Sequence, residues 1–465
     1  MVTQLERLRS INPATGAELE SFDIPDEGQI DAALSDAASA SHVWRDTPLE
    51  QRTELLRAAA KLLRDNVDMH AATITAEMGK PITEARAEVE KCAFCCDYFA
   101  GQASGFLADE SAPSDSPASF VRFEPLGVLL ACMPWNFPYW QVFRCIAPAL
   151  AAGNCVVLKH ASNVTRCGLR IEQVLHDAGA PRGVFTMLPV PAKVVGSLIA
   201  DPRVAAVSLT GSTDAGRKVA ATAGEHIKKC VLELGGSDAF IVLDDADLAE
   251  AATVGAKSRF QNAGQSCISA KRFIVVEAVA DEFEEQLVAR CAAIRVGDPT
   301  SNDTQMGPLA RADLRETVER QLRESAARGG RVVVGGARPE RPGFFLQPAV
   351  IVDCDISMPV FIEETFGPVA AVTRVRDADE ALQVANHTTF GLGGNIWTRD
   401  IERGIALSRR LQAGGVFING MTHSDPRLPF GGVAGSGYGR ELHRFGIHEF
   451  VNIKTVWMPG DAERL

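Results

Sequence analysis

Between Asp26 and Gly101 the apolar residues recur at helical spacing, and residues 27–100 are predicted to be mostly helical. One helix starts near Asp26 and covers residues 30–44. A second is predicted from Thr47-Pro48, with Pro early in the helix and Glu50 at the spacing of a capping box. A third, from about 83 to 102, places Cys92, Cys95 and Cys96 near one face. No second C-x-x-C partners them, so they read as packed thiols rather than a metal or redox centre. Residues 103–119 are rich in Ser, Ala, Pro and Asp and read as loop. Residues 120–125 alternate with period two, as a strand or ribbon.

From Gly127 onward the pattern changes to short apolar runs alternating with helical stretches. Strands are predicted at 127–133, 155–159, 184–188 and 204–209, with helices at 164–178 and 191–200. A second series follows, with strands at 230–234, 239–243 and 272–276 and helices at 247–260 and 281–293. Later strands are predicted at 332–334, 349–352, 371–375 and 416–419. Strands alternating with helices predict an α/β fold whose parallel sheets are covered by helices. The two series predict two units, joined near residue 235.

Composition narrows the class. At 465 residues the chain has room for two or three domains, and 46% hydrophobic with 23% charged residues excludes disorder, collagen and coiled coil. Lys plus Arg number 47 against 59 Asp plus Glu, a net charge of −12, which argues against a nucleic-acid partner. No apolar run approaches the ~20 residues of a membrane-spanning helix. The opening Met1-Val2-Thr3-Gln4-Leu5-Glu6-Arg7 has neither a secretory nor an organellar leader pattern. Eleven scattered cysteines, an odd number, fit a reducing, cytoplasmic setting better than a disulfide framework.

Four segments carry chemistry. Gln261-Asn262-Ala263-Gly264-Gln265-Ser266-Cys267 sets a cysteine in a polar stretch after a helix, whereas most of the others sit in apolar runs. A thiol there is a strong nucleophile once a base is near. Val231-Leu232-Glu233-Leu234-Gly235-Gly236 offers a carboxylate inside an apolar strand, where desolvation raises its pKa toward neutrality. In Met133-Pro134-Trp135-Asn136-Phe137-Pro138 two prolines hold a loop whose Asn amide can donate to an oxyanion. Thr210-Gly211-Ser212-Thr213 ends a strand and opens a helix, which suits a phosphate. Taken singly, three of them have a plainer reading: an ordinary helix cap, a turn Asn, a solvent-facing strand Glu. Gly435-Ser-Gly-Tyr-Gly439 is glycine-rich, but no strand feeds it.

Together these segments resemble the aldehyde dehydrogenase superfamily. The resemblance runs from Ile11-Asn-Pro-Ala-Thr-Gly16 through Glu363-Glu-Thr-Phe-Gly-Pro-Val369 to Phe430-Gly-Gly432 and Gly439-Arg-Glu441. Within the superfamily the chain is most similar to bacterial succinate-semialdehyde dehydrogenases, through residues 134–144, Leu158-Lys-His-Ala161 and Phe417-Ile-Asn-Gly420. The resemblance implies a Rossmann-like cofactor domain (1–106 and 126–235), an α/β catalytic domain (236–438) and small oligomerisation elements (107–125 and 439–465). It also implies a homodimer or homotetramer.

It further implies that Cys267 attacks an aldehyde, that Asn136 and the Cys267 N–H hold the oxyanion, and that Glu233 activates water against the thioester. Lys159 would contact the adenosine ribose, Ser212 the pyrophosphate and Glu364 the nicotinamide ribose, with Phe366 beside the ring. Trp135, Gly211 and Leu234 would complete the cofactor site. No metal is implied. NAD-preferring relatives often carry Glu where this chain has Ser162; losing that carboxylate removes repulsion against a 2′-phosphate, so NADP is expected to be preferred over NAD. Ser269, two residues after Cys267, leaves no partner for a local disulfide switch. Arg144 and Ser424 are expected to bind a short aldehyde with a distal carboxylate, such as succinate semialdehyde; for Arg144 a structural ion pair is the other reading. Glutarate semialdehyde, general aliphatic aldehydes and a cofactor-independent thiol esterase are the competing activities.

Overall fold

The structure is a computed structural model that describes residues 7–112, 114–116 and 119–458. Residues 1–6, which carry the expected absence of a leader, and 459–465 of the expected C-terminal oligomerisation element lie outside them.

The α/β expectation holds, and it resolves into two main sheets. The first has the order Gly437–Tyr438, Lys229–Glu233, Val204–Thr210, Val128–Met133, Cys155–His160, Phe185–Met187, parallel except for its short first strand. All six residues of the central Val128–Met133 are buried, which is why that strand reads as one apolar run and not as an alternation. The chain winds outward from it on one side and then on the other. This leaves a crevice at the carboxyl ends of Val128–Met133 and Val204–Thr210, where open α/β sheets bind ligands.

The second sheet has the order Arg331–Val334, Ala349–Val352, Val369–Val375, Ala270–Val276, Asp238–Val242, Gly393–Trp397, Gly415–Ile418, with only the first strand antiparallel. The chain passes from one sheet to the other between Glu233 and Asp238, at the expected junction. A third, antiparallel sheet joins Val451–Val456, Phe120–Pro125 and Glu110–Ser111. The stretch after Gly439 is divided: Leu442, Ile447, Phe450 and Val451 pack into the first core, and the rest of the strand Val451–Val456 leaves it.

Local departures have local causes. The capping box forms at Asp26 and Gln29, not at Thr47. The Thr47 hydroxyl instead donates to the Val43 carbonyl at the end of the preceding helix, and Leu49–Asp65 starts after Pro48 without a side-chain cap. The Cys92 helix runs further than expected, from Ile82 to Phe106, and buries all three thiols. The strand Gly393–Trp397 has no sequence signature, because Gly393 is required by its neighbour: a Cβ there would lie 2.4 Å from Asp238 Oδ2.

One helix sets the site. Trp140–Ala152 is buried over its whole length, so its first N–H groups cannot turn to water. The Glu88 carboxylate takes the N–H of Tyr139 at 2.9 Å and of Trp140 at 3.0 Å, a favourable place for negative charge at a helix N-terminus. Glu88 is in turn ion-paired with Lys80, which lies over the Phe137 ring; both side chains are buried. Removing one member of a buried pair strands the other charge. Lys80→Met should therefore lower the unfolding free energy by about 3–5 kcal/mol in urea titration. A loss below about 1 kcal/mol would mean that the two N–H groups alone satisfy Glu88.

Candidate active site

Cys267 sits at the end of an unusual bend. The helix Leu248–Phe260 breaks into the turn Gln261–Gly264, where Asn262 (φ 51°), Ala263 (φ 53°) and Gly264 (φ 73°) are all left-handed. Two of these carry side chains, which costs roughly 1–2 kcal/mol each. The bend is held from several sides. The Asn262 N–H donates to Glu84 (2.8 Å) and its amide to the Asn136 carbonyl (2.7 Å). Gln265 donates to the Asn262 carbonyl (3.0 Å) and accepts from the Ala310 N–H (2.9 Å). The buried Arg259 guanidinium bonds the carbonyls of Gly264 (2.6 Å) and Gly367 (2.7 Å). Just beyond the nucleophile, Lys271 donates to the carbonyls of Ser266 (2.9 Å) and Cys267 (2.8 Å).

Cys267 and Asn136 line one cavity of about 370 Å³. Trp135, Gly211, Ser212, Leu234, Glu364 and Phe366 line it too, so the sheet turns and Cys267 meet around one space. The Asn136 amide donates to the Gln265 carbonyl at 3.1 Å. Glu364 is held by the Gly236 N–H (3.0 Å) with the Lys271 ammonium 3.7 Å away, and Phe366 stands edge-on to Trp135 at 5.7 Å. Gln141, Arg311 and Leu314 also line this space and were not expected there.

A second cavity of about 630 Å³ shares Pro134, Thr210, Gly211 and Ser212 with the first. Ser212 caps the helix Thr213–Glu225 by accepting from the Ala215 N–H (3.3 Å). Lys159 lines this cavity and makes no ion pair among the described residues; burial lowers its pKa. Ser162 is not on the wall itself. It stands next to Ala161, which is, and its hydroxyl makes no hydrogen bond among the described residues.

A third cavity, about 350 Å³, shares Cys267 and Gln141 with the first and is lined by Arg144 and Ser424. Asn136 and Arg144 thus line different cavities that meet at Cys267. Arg144 is not the free guanidinium that a bidentate substrate contact needs. It is buried, ion-paired with the buried Glu441, 3.4 Å from the Thr210 hydroxyl and over the Phe430 ring. The backbone bridge between Phe430 and Glu441 brings that carboxylate under the helix, a partner invisible in the local sequence. Lys91, also on this wall, was missed; Glu84, Ala87, Glu88 and Lys91 recur at 0, 3, 4 and 7 on one helix face.

Glu233 ends its strand fully buried and lines none of these three cavities. Neither carboxylate oxygen has a hydrogen-bond partner. Burial, then the nearby Glu441, holds its pKa well above the usual carboxylate range, against the pull of Arg144 and Arg440. The Cys267 thiol is pushed up to about 12, by burial above all, with Arg144 and Lys271 opposing. At rest the thiol is protonated. Among the described residues no cluster of His, Cys, Asp and Glu could hold a metal, and no helix is long and apolar enough to cross a membrane.

The model of the aldehyde dehydrogenase family matches residues 2–456. A succinate-semialdehyde dehydrogenase from Mycobacterium tuberculosis (strain H37Rv), named for NADP(+), is 50% identical over 454 residues, covering 97% of this chain and 99% of its own. One from Escherichia coli K12, named for NAD(P)+, is 46% identical and covers 98% and 99%. The crystal structure of succinic semialdehyde dehydrogenase from Streptococcus pyogenes with NADP+ superposes at TM-score 0.95 and 39% identity, covering 97% of this chain and 100% of that one.

Because only the thiolate is nucleophilic, a thiol raised this far gains reactivity with every step in pH. Inactivation by iodoacetamide should accelerate about tenfold per pH unit between roughly pH 7 and 9. A rate already flat across that range would contradict the protonated resting thiol.

Proposed function

This chain belongs to the aldehyde dehydrogenase family, and from that premise we propose that it oxidises succinate semialdehyde to succinate with NADP as preferred cofactor and NAD as the second. The observation that carries this is the position of Cys267, the thiol shared by two cavities. One of them continues past a helix N-terminus to an unpaired lysine; the other is lined by cationic side chains.

The cofactor fits the residues present. A Cβ on Gly235 would lie 2.5 Å from Glu364 Oε2, so the wall stays open only with glycine there. The N-terminus of Thr213–Glu225 suits the pyrophosphate, and the unengaged Lys159 ammonium and Ser162 hydroxyl suit a 2′-phosphate. Glu364, fixed by Gly236 and Lys271, is oriented to accept from ribose hydroxyls, with Trp135 and Phe366 beside the nicotinamide. When bound, the nicotinamide dinucleotide supplies the hydride acceptor.

Cys267 gives its proton to water as its sulfur adds to the aldehyde carbon, giving a thiohemiacetal. The Asn136 amide and the Cys267 N–H hold the oxyanion. With the hydride gone, the sulfur carries a thioester. Glu233, whose desolvated carboxylate is a stronger base than an exposed one, takes a proton from water as the oxygen attacks. The acid leaves and the thiol is restored. Glu233→Gln should then release about one equivalent of reduced cofactor per subunit in a rapid burst before slow turnover. Loss of the burst together with turnover would remove Glu233 from the hydrolytic step.

The edge strand Val451–Val456, with Ile453 and Trp457 exposed, supports assembly into dimers or tetramers, and eleven free cysteines suit a reducing cytoplasm. The activity is tested by a panel of aldehydes differing in length and terminal carboxylate, run with both cofactors. Succinate semialdehyde should give the highest kcat/KM, above glutarate semialdehyde and neutral aldehydes, with NADP favoured by about tenfold or more over NAD. Ser162→Glu should reverse that cofactor preference. A wild-type preference for NAD of tenfold would overturn the cofactor assignment.

A further inference from the structure

We infer that Lys91 and Ser424 together hold the terminal carboxylate of the aldehyde, with Lys91 supplying the positive charge that selects it. The inference rests on the succinate-semialdehyde reading of the site and names the residues that enforce it.

The Ser424 hydroxyl is buried and its oxygen already accepts twice, from the Trp140 indole N–H at 2.9 Å and from the Lys91 ammonium at 3.0 Å. A hydroxyl oxygen has two acceptor positions, so only its O–H proton remains. That proton finds no acceptor among the described residues. The Lys91 ammonium has three N–H donors; one goes to Ser424, and the group lies 4.1 Å over the Trp140 ring. It makes no ion pair among the described residues. An N–H and an O–H are thus left side by side on the wall of the cavity that Cys267 shares, a donor pair matched to the two oxygens of a carboxylate.

Charge balance points to the same residue. The groups facing Lys91 are Glu88, Cys92 and Cys95 from its own helix and Arg144 from Trp140–Ala152. Glu88 is committed to Lys80 and to two backbone N–H groups, and burial keeps the two thiols protonated. Glu84, on the same wall, accepts from the Asn262 N–H, and its pKa is raised to about 7, chiefly by burial. Arg144 is matched by Glu441, with Glu233 also near it. Burial, then Arg144, lowers the Lys91 pKa to about 8, which leaves it protonated at neutral pH. Lys257, the third cation on this wall, is exposed to solvent; of the two that are not, Arg144 has its ion pair and Lys91 has none among the described residues.

The test compares succinate semialdehyde with butanal, of equal length but no carboxylate, in wild type, Lys91→Met, Lys91→Gln and Lys91→Arg. In Lys91→Met the preference for succinate semialdehyde should fall by about tenfold or more, through KM rather than kcat. Lys91→Gln should fall as well, since it keeps a donor but not the charge, and Lys91→Arg should recover part of the preference. Equal losses on both aldehydes in Met and Gln variants, or a preference within about twofold of wild type, overturn the inference. That failure would leave the substrate reading intact. A wild type without any preference for the carboxylated aldehyde would overturn both.

Discussion

A helix with no exposed residue cannot leave its first N–H groups unpaired, and in this protein the solution to that constraint organises the active site. Glu88 reaches across from the helix Ile82–Phe106 to close the N-terminus of Trp140–Ala152, and Lys80 balances its charge. The loop that enters the helix carries Trp135 and Asn136, and its first turns carry Trp140, Gln141 and Arg144. The Asn136 amide, the cavity wall and the buried guanidinium therefore share one anchor. Isolated buried ion pairs are weak sources of stability. This one earns its place by fixing where a helix begins.

The two main sheets meet the cleft in opposite senses. The first presents the carboxyl ends of its parallel strands, from which Lys159, Gly211 and Leu234 extend. The second presents the amino ends of Ala270–Val276 and Val369–Val375, just after Cys267 and just after Glu364 and Phe366. The turns around Gly211 and Ser212 thus come from one sheet, and Cys267 and Glu364 from the other. The chain first crosses through Gly235 and Gly236, where side chains would strike Glu364 and the Cys267 carbonyl, and it returns to the first sheet at Gly437–Tyr438.

What the sequence revealed follows from how locally each feature is encoded. Strands buried on both faces, such as Val128–Met133, declare themselves as apolar runs. Cys267 stands out because its neighbours are polar, and Glu233 because its neighbours are not. The strand Gly393–Trp397 stays hidden because Gly393 answers to Asp238, far away in sequence, and Gly394 to Leu411. Thr47 has the spacing of a cap but spends its hydroxyl on the helix behind it. Arg144 is legible as a residue of the site, yet its partner Glu441 comes from the other end of the chain. Lys91 reads as one more charge on a helix until Ser424 and Trp140 are placed against it.

The left-handed turn before Cys267 is secured by the helix Ile82–Phe106, the Asn136 loop, Ala310 and Gly367, which span most of the chain. The last of these partners emerges late in synthesis. The turn is therefore a checkpoint on assembly: a nascent or partly unfolded chain lacks the geometry that aims the thiol at a substrate. The setting of the thiol thus depends on contacts drawn from both halves of the chain.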